Sequence, residues 1–230
     1  MAERQRQQDR GPILAITTSA ACEVALLHDE RMTSVAGVGQ TLTALLPAVQ
    51  TVLGHAALSV KEVALIAVCV GPGSFTGLRI GVAFAKTLAQ AQDIAMAAIS
   101  AYDVAAYAEP ANAAEYPLIA VAQGKSNYYY ARLLRAADDA GEYFALTGEE
   151  LDDLTARVAE SSGRTVRVVG ADRSSYKAGE RAERVALLAC RERRAGRTSN
   201  WPAIRIDYGQ RPNAVINWER RQARTLEGHS

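Results

Sequence analysis

The stretch Val63-Ala-Leu-Ile-Ala-Val-Cys-Val70, followed by Gly71-Pro-Gly-Ser-Phe-Thr-Gly77 and then Leu78 to about Gln92, decides the architecture. Eight consecutive apolar residues suit one buried strand and fall far short of the about 20 needed to cross a bilayer. Strand, glycine-rich turn and helix in that order make the unit of an α/β fold. The turn can aim backbone N–H groups at an anion. It nevertheless lacks the Lys and hydroxyl pair of a P-loop, the third glycine of a dinucleotide fingerprint falls one residue late, and Ser74 has no nucleophile-elbow context. A tight connection that lays the next helix close to the sheet reads equally well.

Outward from this unit the same signals recur. Pro12 to Thr17, Cys22 to His28 and Met32 to Val38 read as three strands, the last two joined by Asp29-Glu30-Arg31. Leu42, Leu45, Leu46, Val49, Val52 and Leu53 hold helical spacing over Gln40 to Leu53, closed by Gly54. Pro47 predicts a kink there or a later start. Ser59-Val-Lys-Glu62 has capping-box form. Ile94 to Ile99 is a further strand. The second half repeats the theme more weakly: strands Leu118 to Ala122 and Tyr128 to Leu134, an acid-rich loop, a polar helix Glu149 to Glu160, a strand Thr165 to Val169, and a helix from about Gly179 to Arg193. Two mixed sheets flanked by helices are predicted. A polar leader spans 1–10, one lobe 11–110, a second lobe 111–218, and a charged tail 219–230; the boundary falls in Glu109 to Pro117.

Composition narrows function. Of 230 residues, 49% are hydrophobic, but 44 are Ala, so bulky core side chains are fewer than that fraction suggests. Charge is nearly balanced, with 26 basic and 25 acidic groups, which argues against a nucleic-acid coat protein. It is uneven along the chain: 11 acidic and 4 basic groups over 103–160, 11 Arg and 4 acidic groups over 181–224. The second region reads as a solvated face or a site for an anionic partner such as RNA. Cys22, Cys69 and Cys190 are odd in number and far apart, as expected of reduced thiols in the cytosol. No targeting or membrane segment is visible, and a cytoplasmic protein is expected.

The helix after the glycine turn carries a second message. Gly77, Gly81, Ala85 and Ala89 recur every fourth residue and make a smooth ridge, and Arg79 and Lys86 are its only charges. Such a ridge lets another backbone approach closely. With the first helix beside it, the pattern fits half of an intermolecular bundle or intramolecular packing of the same two helices.

Gly71-Pro-Gly-Ser-Phe-Thr-Gly-Leu-Arg-Ile-Gly-Val-Ala83, with Lys86 and Leu88-Ala89 behind it, resembles the signature of the TsaB (YeaZ) family. Ile13-Leu-Ala-Ile-Thr-Thr-Ser19, Leu45-Leu-Pro47 and Ile99-Ser-Ala-Tyr102 fall where that family has its first strand, first helix and third helix; the likeness is strong over 12–107 and thin afterwards. The resemblance implies two actin-like lobes of the sugar kinase/Hsp70 superfamily, RNase H-like, each with a five-stranded mixed sheet. It implies a non-catalytic subunit that pairs with TsaD, works with the ATPase TsaE, and supports formation of threonylcarbamoyladenosine at position 37 of tRNAs reading ANN codons, touching tRNA indirectly. The implied interface uses the first two helices: Leu42, Leu45, Leu46, Val49, Gly77, Leu78, Gly81, Val82, Ala85 and Ala89. The glycine loop comprises Gly71, Pro72, Gly73, Ser74, Phe75, Thr76 and Gly77, with Arg79. No metal, catalytic residue or cofactor of its own is expected; a nucleotide at the partner interface, and a homodimer when the partner is absent, stay open.

Departures sharpen this. Thr17 and Ala122 stand where relatives carry strand-end carboxylates, which in superfamily enzymes hold Mg²⁺ against nucleotide phosphates. An ATPase or kinase would need Asp172 or Asp103 as substitutes. A metallopeptidase would need clustered ligands, but His28, His55 and His229 are scattered.

Overall fold

The computed structural model describes residues 11–107, 116–124, 128–136, 139–170 and 176–209. The expected leader, the tail from 219 and most of the expected boundary lie outside these. Strands β1 (Ile13–Thr17), β2 (Glu23–His28) and β3 (Arg31–Ala36) lead into helix α1 (Thr41–His55); β4 (Leu65–Gly71), helix α2 (Phe75–Gln92) and β5 (Ala95–Ser100) follow. They form one sheet in the order β3-β2-β1-β4-β5. β1 runs antiparallel to β2 and parallel to β4, with Ile13 opposite both Leu27 and Leu65. Helix α3 (Ala101–Ala106) leads to β6 (Leu118–Gln123), β7 (Tyr128–Leu134), β8 (Glu142–Thr147), helix α4 (Gly148–Ser162) and β9 (Arg167–Gly170), whose strands order as β8-β7-β6-β9. β6 repeats the role of β1, antiparallel to β7 and parallel to β9. The second sheet has four described strands where the resemblance implied five.

Strand alternation sorts the core. Leu14 and Ile16 of β1 point to the face covered by α1 and α2, where Leu45, Val49, Val52, Val82, Ala85 and Ala89 meet them. Ile13 and Ala15 point to the other face, covered by helix α5 (Glu180–Arg194) through Ala182, Val185, Ala186 and Ala189. On the second sheet Tyr130 packs toward Tyr102 and Ala105 of α3, and Tyr129 packs toward Leu151, Leu154 and Val158 of α4. The alternating tyrosines therefore serve ordinary sheet packing.

The chain from Gly179 onward does not stay with the second sheet. α5 covers the first, and residues 199–207 continue across it: Ser199 exchanges backbone hydrogen bonds of 2.8 and 2.9 Å with Met96 on the β5 edge, Ile204 is buried in the first core, and the Asp207 N–H donates to Val70 O at 2.8 Å. The second half thus builds a lobe of its own with β6–β9 and clasps the first with α5 and residues 199–207. Local details differ from expectation too. α1 begins at Thr41 and continues through Pro47; the carbonyl that the proline leaves unpaired belongs to Thr43, on the exposed face where water can solvate it. The Ser59–Glu62 capping box closes a 3₁₀ turn, Val60–Glu62. The acid-rich loop contains β8, an edge strand.

Candidate functional site

The glycine loop and helix α2 come first because the sequence singled them out. Ser74 caps α2, its hydroxyl accepting from the Gly77 N–H at 3.2 Å, and the Ser74 N–H donates to Ser19 O at 2.6 Å. These bonds fasten the loop to the end of β1. The smooth ridge then lies against β1. A Cβ on Gly77 would sit 2.1 Å from Thr18 O, and one on Gly81 would sit 2.1 Å from Thr18 Oγ1. Both are closer than atoms can approach, so only glycine allows this helix to lie so near the sheet. Ala85 and Ala89 are fully buried in the same contact. The ridge is internal, and its reading as a partner surface is corrected: the backbone it admits is the chain's own.

The other expected interface residues divide. Leu45, Val49, Leu78 and Val82 are buried in the first core and present nothing to a partner. Leu42 is 71% and Leu46 52% exposed on the outer surface of α1. Two residues outside the expected interface set join them: Val38, 93% exposed just before α1, and Phe75, 53% exposed at the start of α2. α1 and α2 cover the same face of the first sheet, so their outer surfaces look the same way. Ala83 and Thr87 are exposed on α2, and Pro47, Gln50 and Thr51 on α1. Arg79 is the single guanidinium among them. Leu42 and Leu46 on α1, Phe75 at the start of α2 and Val38 just before α1 are thus large apolar side chains left exposed.

A cleft between the two sheets is the second candidate. It opens between the β1 end at Ser19, the glycine loop at Pro72 and the β6 end at Ala122, and holds about 120 Å³. Ligand pockets run from about 300 Å³ upward, so this volume suits a few waters rather than a nucleotide. Among the described lining residues, Arg181 and Tyr176 are the only titratable ones. Arg181 Nη1 meets the buried Glu23 Oε1 at 2.9 Å, and its guanidinium lies 4.0 Å from the centre of the Tyr176 ring. Glu23 Oε2 accepts from the backbone N–H groups of Arg181 and Ala182 at the start of α5, at 2.9 and 3.4 Å. One carboxylate therefore neutralises the cleft's cation and caps a helix.

At the strand ends, Thr17 Oγ1 and Ser19 Oγ are 3.1 Å apart. Burial raises the pKa of the adjoining Cys69 thiol, opposing thiolate formation. Asp103, a candidate substitute carboxylate, is held by Arg132 Nη1 at 2.7 Å, and Asp172 lies outside the described residues. His28 faces Asp29 at 3.3 Å, His55 is exposed at the end of α1, and His229 lies outside the described residues. No group of three potential metal ligands occurs among the described residues. No described helix is long and apolar enough to cross a membrane.

Comparison with known proteins settles the family. Residues 40–179, more than half of the chain and including α1, the glycine loop and α2, match the family described as TsaD, tRNA N6-adenosine threonylcarbamoyltransferase. The chain is 32% identical over 140 residues to the tRNA threonylcarbamoyladenosine biosynthesis protein TsaB of Haemophilus influenzae. It is 36% identical over 103 residues to TsaB of Bacillus subtilis. The chain belongs to the TsaB (YeaZ) family, with a TsaD-type domain. The first match covers 57% of this chain and 58% of the relative, the second 41% and 43%, so the chain spans about half the length of the curated relatives it matches. Solved structures extend the likeness over the whole fold. YeaZ from Pseudomonas aeruginosa superposes with a TM-score of 0.65 at 26% identity, covering 86% of this chain and 99% of that one. A structure described as an uncharacterized protein with similarity to peptidase YeaZ from Pseudomonas aeruginosa gives 0.66 at 26% identity, covering 87% and 100%. The actin-like, two-sheet architecture expected from the resemblance is the one present.

Proposed function

We propose that the chain is a non-catalytic subunit of tRNA threonylcarbamoyladenosine biosynthesis that binds a TsaD-type transferase through the outer surfaces of α1 and α2. The observation that carries this reading is the exposed apolar set Val38, Leu42, Leu46 and Phe75 on one face of the first sheet. Burying such side chains at an interface contributes about 25 cal/mol per Å² of apolar area removed from water. The relatives' names supply the pathway.

The supporting role follows from the cleft. Thr17 and Ala122 offer no charge to hold a metal, and Glu23 already occupies the one lining guanidinium. The chain then acts by presenting a surface. TsaD performs the transfer to adenosine 37 of tRNAs reading ANN codons, TsaE supplies ATP hydrolysis, and tRNA is met by the assembly. A nucleotide, where one is bound, sits between the subunits.

The test is direct. Mixing the purified chain with the TsaD-type protein of the same genome at tens of micromolar should give a one-to-one complex by light scattering. Two separate species at that concentration would refute the docking role. The isolated chain should turn over no ATP.

A further inference from the structure

We propose that Arg79 is the charged anchor of this docking face, aimed by Tyr208 from 129 residues further along the chain, and that it receives a carboxylate of the partner protein. The inference rests on the docking role proposed above.

Arg79 is exposed near the start of α2, one turn from Phe75. Its guanidinium carbon lies 3.9 Å from the centre of the Phe75 ring, a cation–π contact that holds the planar group flat on the aromatic face. Its Nε donates to the Tyr208 hydroxyl at 3.2 Å, and the Tyr208 ring lies 5.1 Å from the Phe75 ring. The guanidinium is thus held between two aromatic residues 133 positions apart in the chain. Four of its five N–H groups carry no bond to any described residue, and no described carboxylate lies within ion-pair distance. A cation fixed in place and left without its counter-charge is prepared for one from outside.

Tyr208 is itself fixed. It follows Asp207, whose N–H donates to Val70 O at 2.8 Å, and Ile204, 3% exposed, whose carbonyl accepts from Lys86 Nζ at 3.3 Å. These contacts tie the terminal strap to β4 and α2 and bring the hydroxyl to Arg79. Tyr208 is a positioning residue. Immobilising an arginine on binding ordinarily loses rotamer entropy, and the strap removes much of that loss beforehand.

A protein carboxylate fits better than a phosphate. On its own helix the exposed residues one turn either side of Arg79, Phe75, Thr76 and Ala83, are apolar or neutral. A single arginine at the edge of an apolar face is the arrangement of a protein-binding hot spot, whereas a phosphate backbone calls for several cations in a row.

Calorimetric titration of the TsaD-type partner with wild type, Arg79→Ala, Arg79→Lys and Tyr208→Phe, at low and raised salt, tests this. Arg79→Ala should weaken binding about tenfold or more at low salt and flatten its salt dependence. Arg79→Lys should not restore it, because lysine lacks the planar fork. Tyr208→Phe keeps the ring and the fold, and should lose about threefold with Arg79 still present. Wild-type affinity in Arg79→Ala or in Tyr208→Phe overturns the assignment while leaving the docking role intact. Failure of the wild type to bind overturns both. Unchanged partner affinity with lost tRNA binding would move Arg79 to a phosphate contact and refute the carboxylate.

Discussion

Replacing Gly81 by alanine tests the contact on which the first lobe is built. The added Cβ would lie 2.1 Å from Thr18 Oγ1 and 3.1 Å from both Thr18 Cβ and Cγ2. Rotating Thr18 to turn its Hβ toward the new methyl removes the shortest contact, but Thr18 Cβ still lies 3.1 Å away, tighter than ordinary van der Waals contact. Helix α2 must therefore lift from β1, and Ala85 and Ala89, fully buried one and two turns on, lose part of their packing with it. Overpacking of this kind costs about 1–3 kcal/mol. Alanine returns about 1 kcal/mol through its higher helix propensity. The net expectation is a loss of up to about 2 kcal/mol, or up to about 8 °C in Tm for a chain of this size.

Thr18→Ala supplies the control. It removes the clashing atom, and that atom is a buried hydroxyl without a hydrogen-bond partner among the described residues, so its loss relieves a desolvated group. In Gly81→Ala/Thr18→Ala the two side chains should fit together, bringing stability to within about 0.5 kcal/mol of Thr18→Ala alone. Urea unfolding of the four proteins closes the cycle. A Gly81→Ala chain as stable as wild type that nevertheless loses its partner would refute the packing argument, because the ridge would then have to face outward.

Three further outcomes follow from other sites. Glu23→Gln removes the carboxylate that serves Arg181 and the start of α5; with Arg181 partly solvated the loss should be about 1–3 kcal/mol, read from urea midpoints, and an unchanged midpoint would show that the ion pair is idle. Glu180 has its pKa held below the ordinary 4.5, first by the Lys177 N–H and then by Arg184; its stabilisation is present above that ordinary value and is lost as pH falls through the lower folded one, so Glu180→Gln should flatten the acid limb of the stability profile and leave it unchanged if the pair contributes nothing. Maleimide labelling of the native chain should modify Cys190, which is partly exposed, and spare Cys22 and Cys69, where burial and a raised pKa oppose thiolate formation; mass spectrometry locates the adduct, and rapid modification of Cys69 would contradict the packing around it.

The sequence carried the fold further than the site. β4, the glycine loop and α2 were legible because a continuous apolar run, a glycine turn and a capped helix each have a local cause. β8 was not: Glu142-Tyr-Phe-Ala-Leu-Thr147 lies at a sheet edge with none of its residues buried, so burial left little pattern to read. The course of α5 was hidden for another reason. A hydrophobic stripe at 3.6-residue spacing shows that a helix covers something without saying which sheet, and α5 returns to the first.

The same limit misassigned the ridge. Spacing identified Gly77, Gly81, Ala85 and Ala89 as a path for a close neighbour, and the sterics were sound, but Thr18 meets Gly77 and Gly81 from 59 and 63 residues away in sequence. Leu42 and Leu46 belonged to the interface set by family likeness, yet periodicity alone could not separate them from Leu45 and Val49 on the buried side. Arg79 and Tyr208 meet across 129 residues, and no local signal joins them.

The decisive measurement is the dissociation constant of the TsaD-type partner for wild type and for Leu42→Asp/Leu46→Asp, with thermal unfolding of each chain alongside. Both leucines are more than half exposed, so the double variant should melt within about 2 °C of wild type while binding at least about a hundredfold more weakly. Wild-type affinity in a fully folded double variant would show that the outer surface of α1 is not where the partner docks.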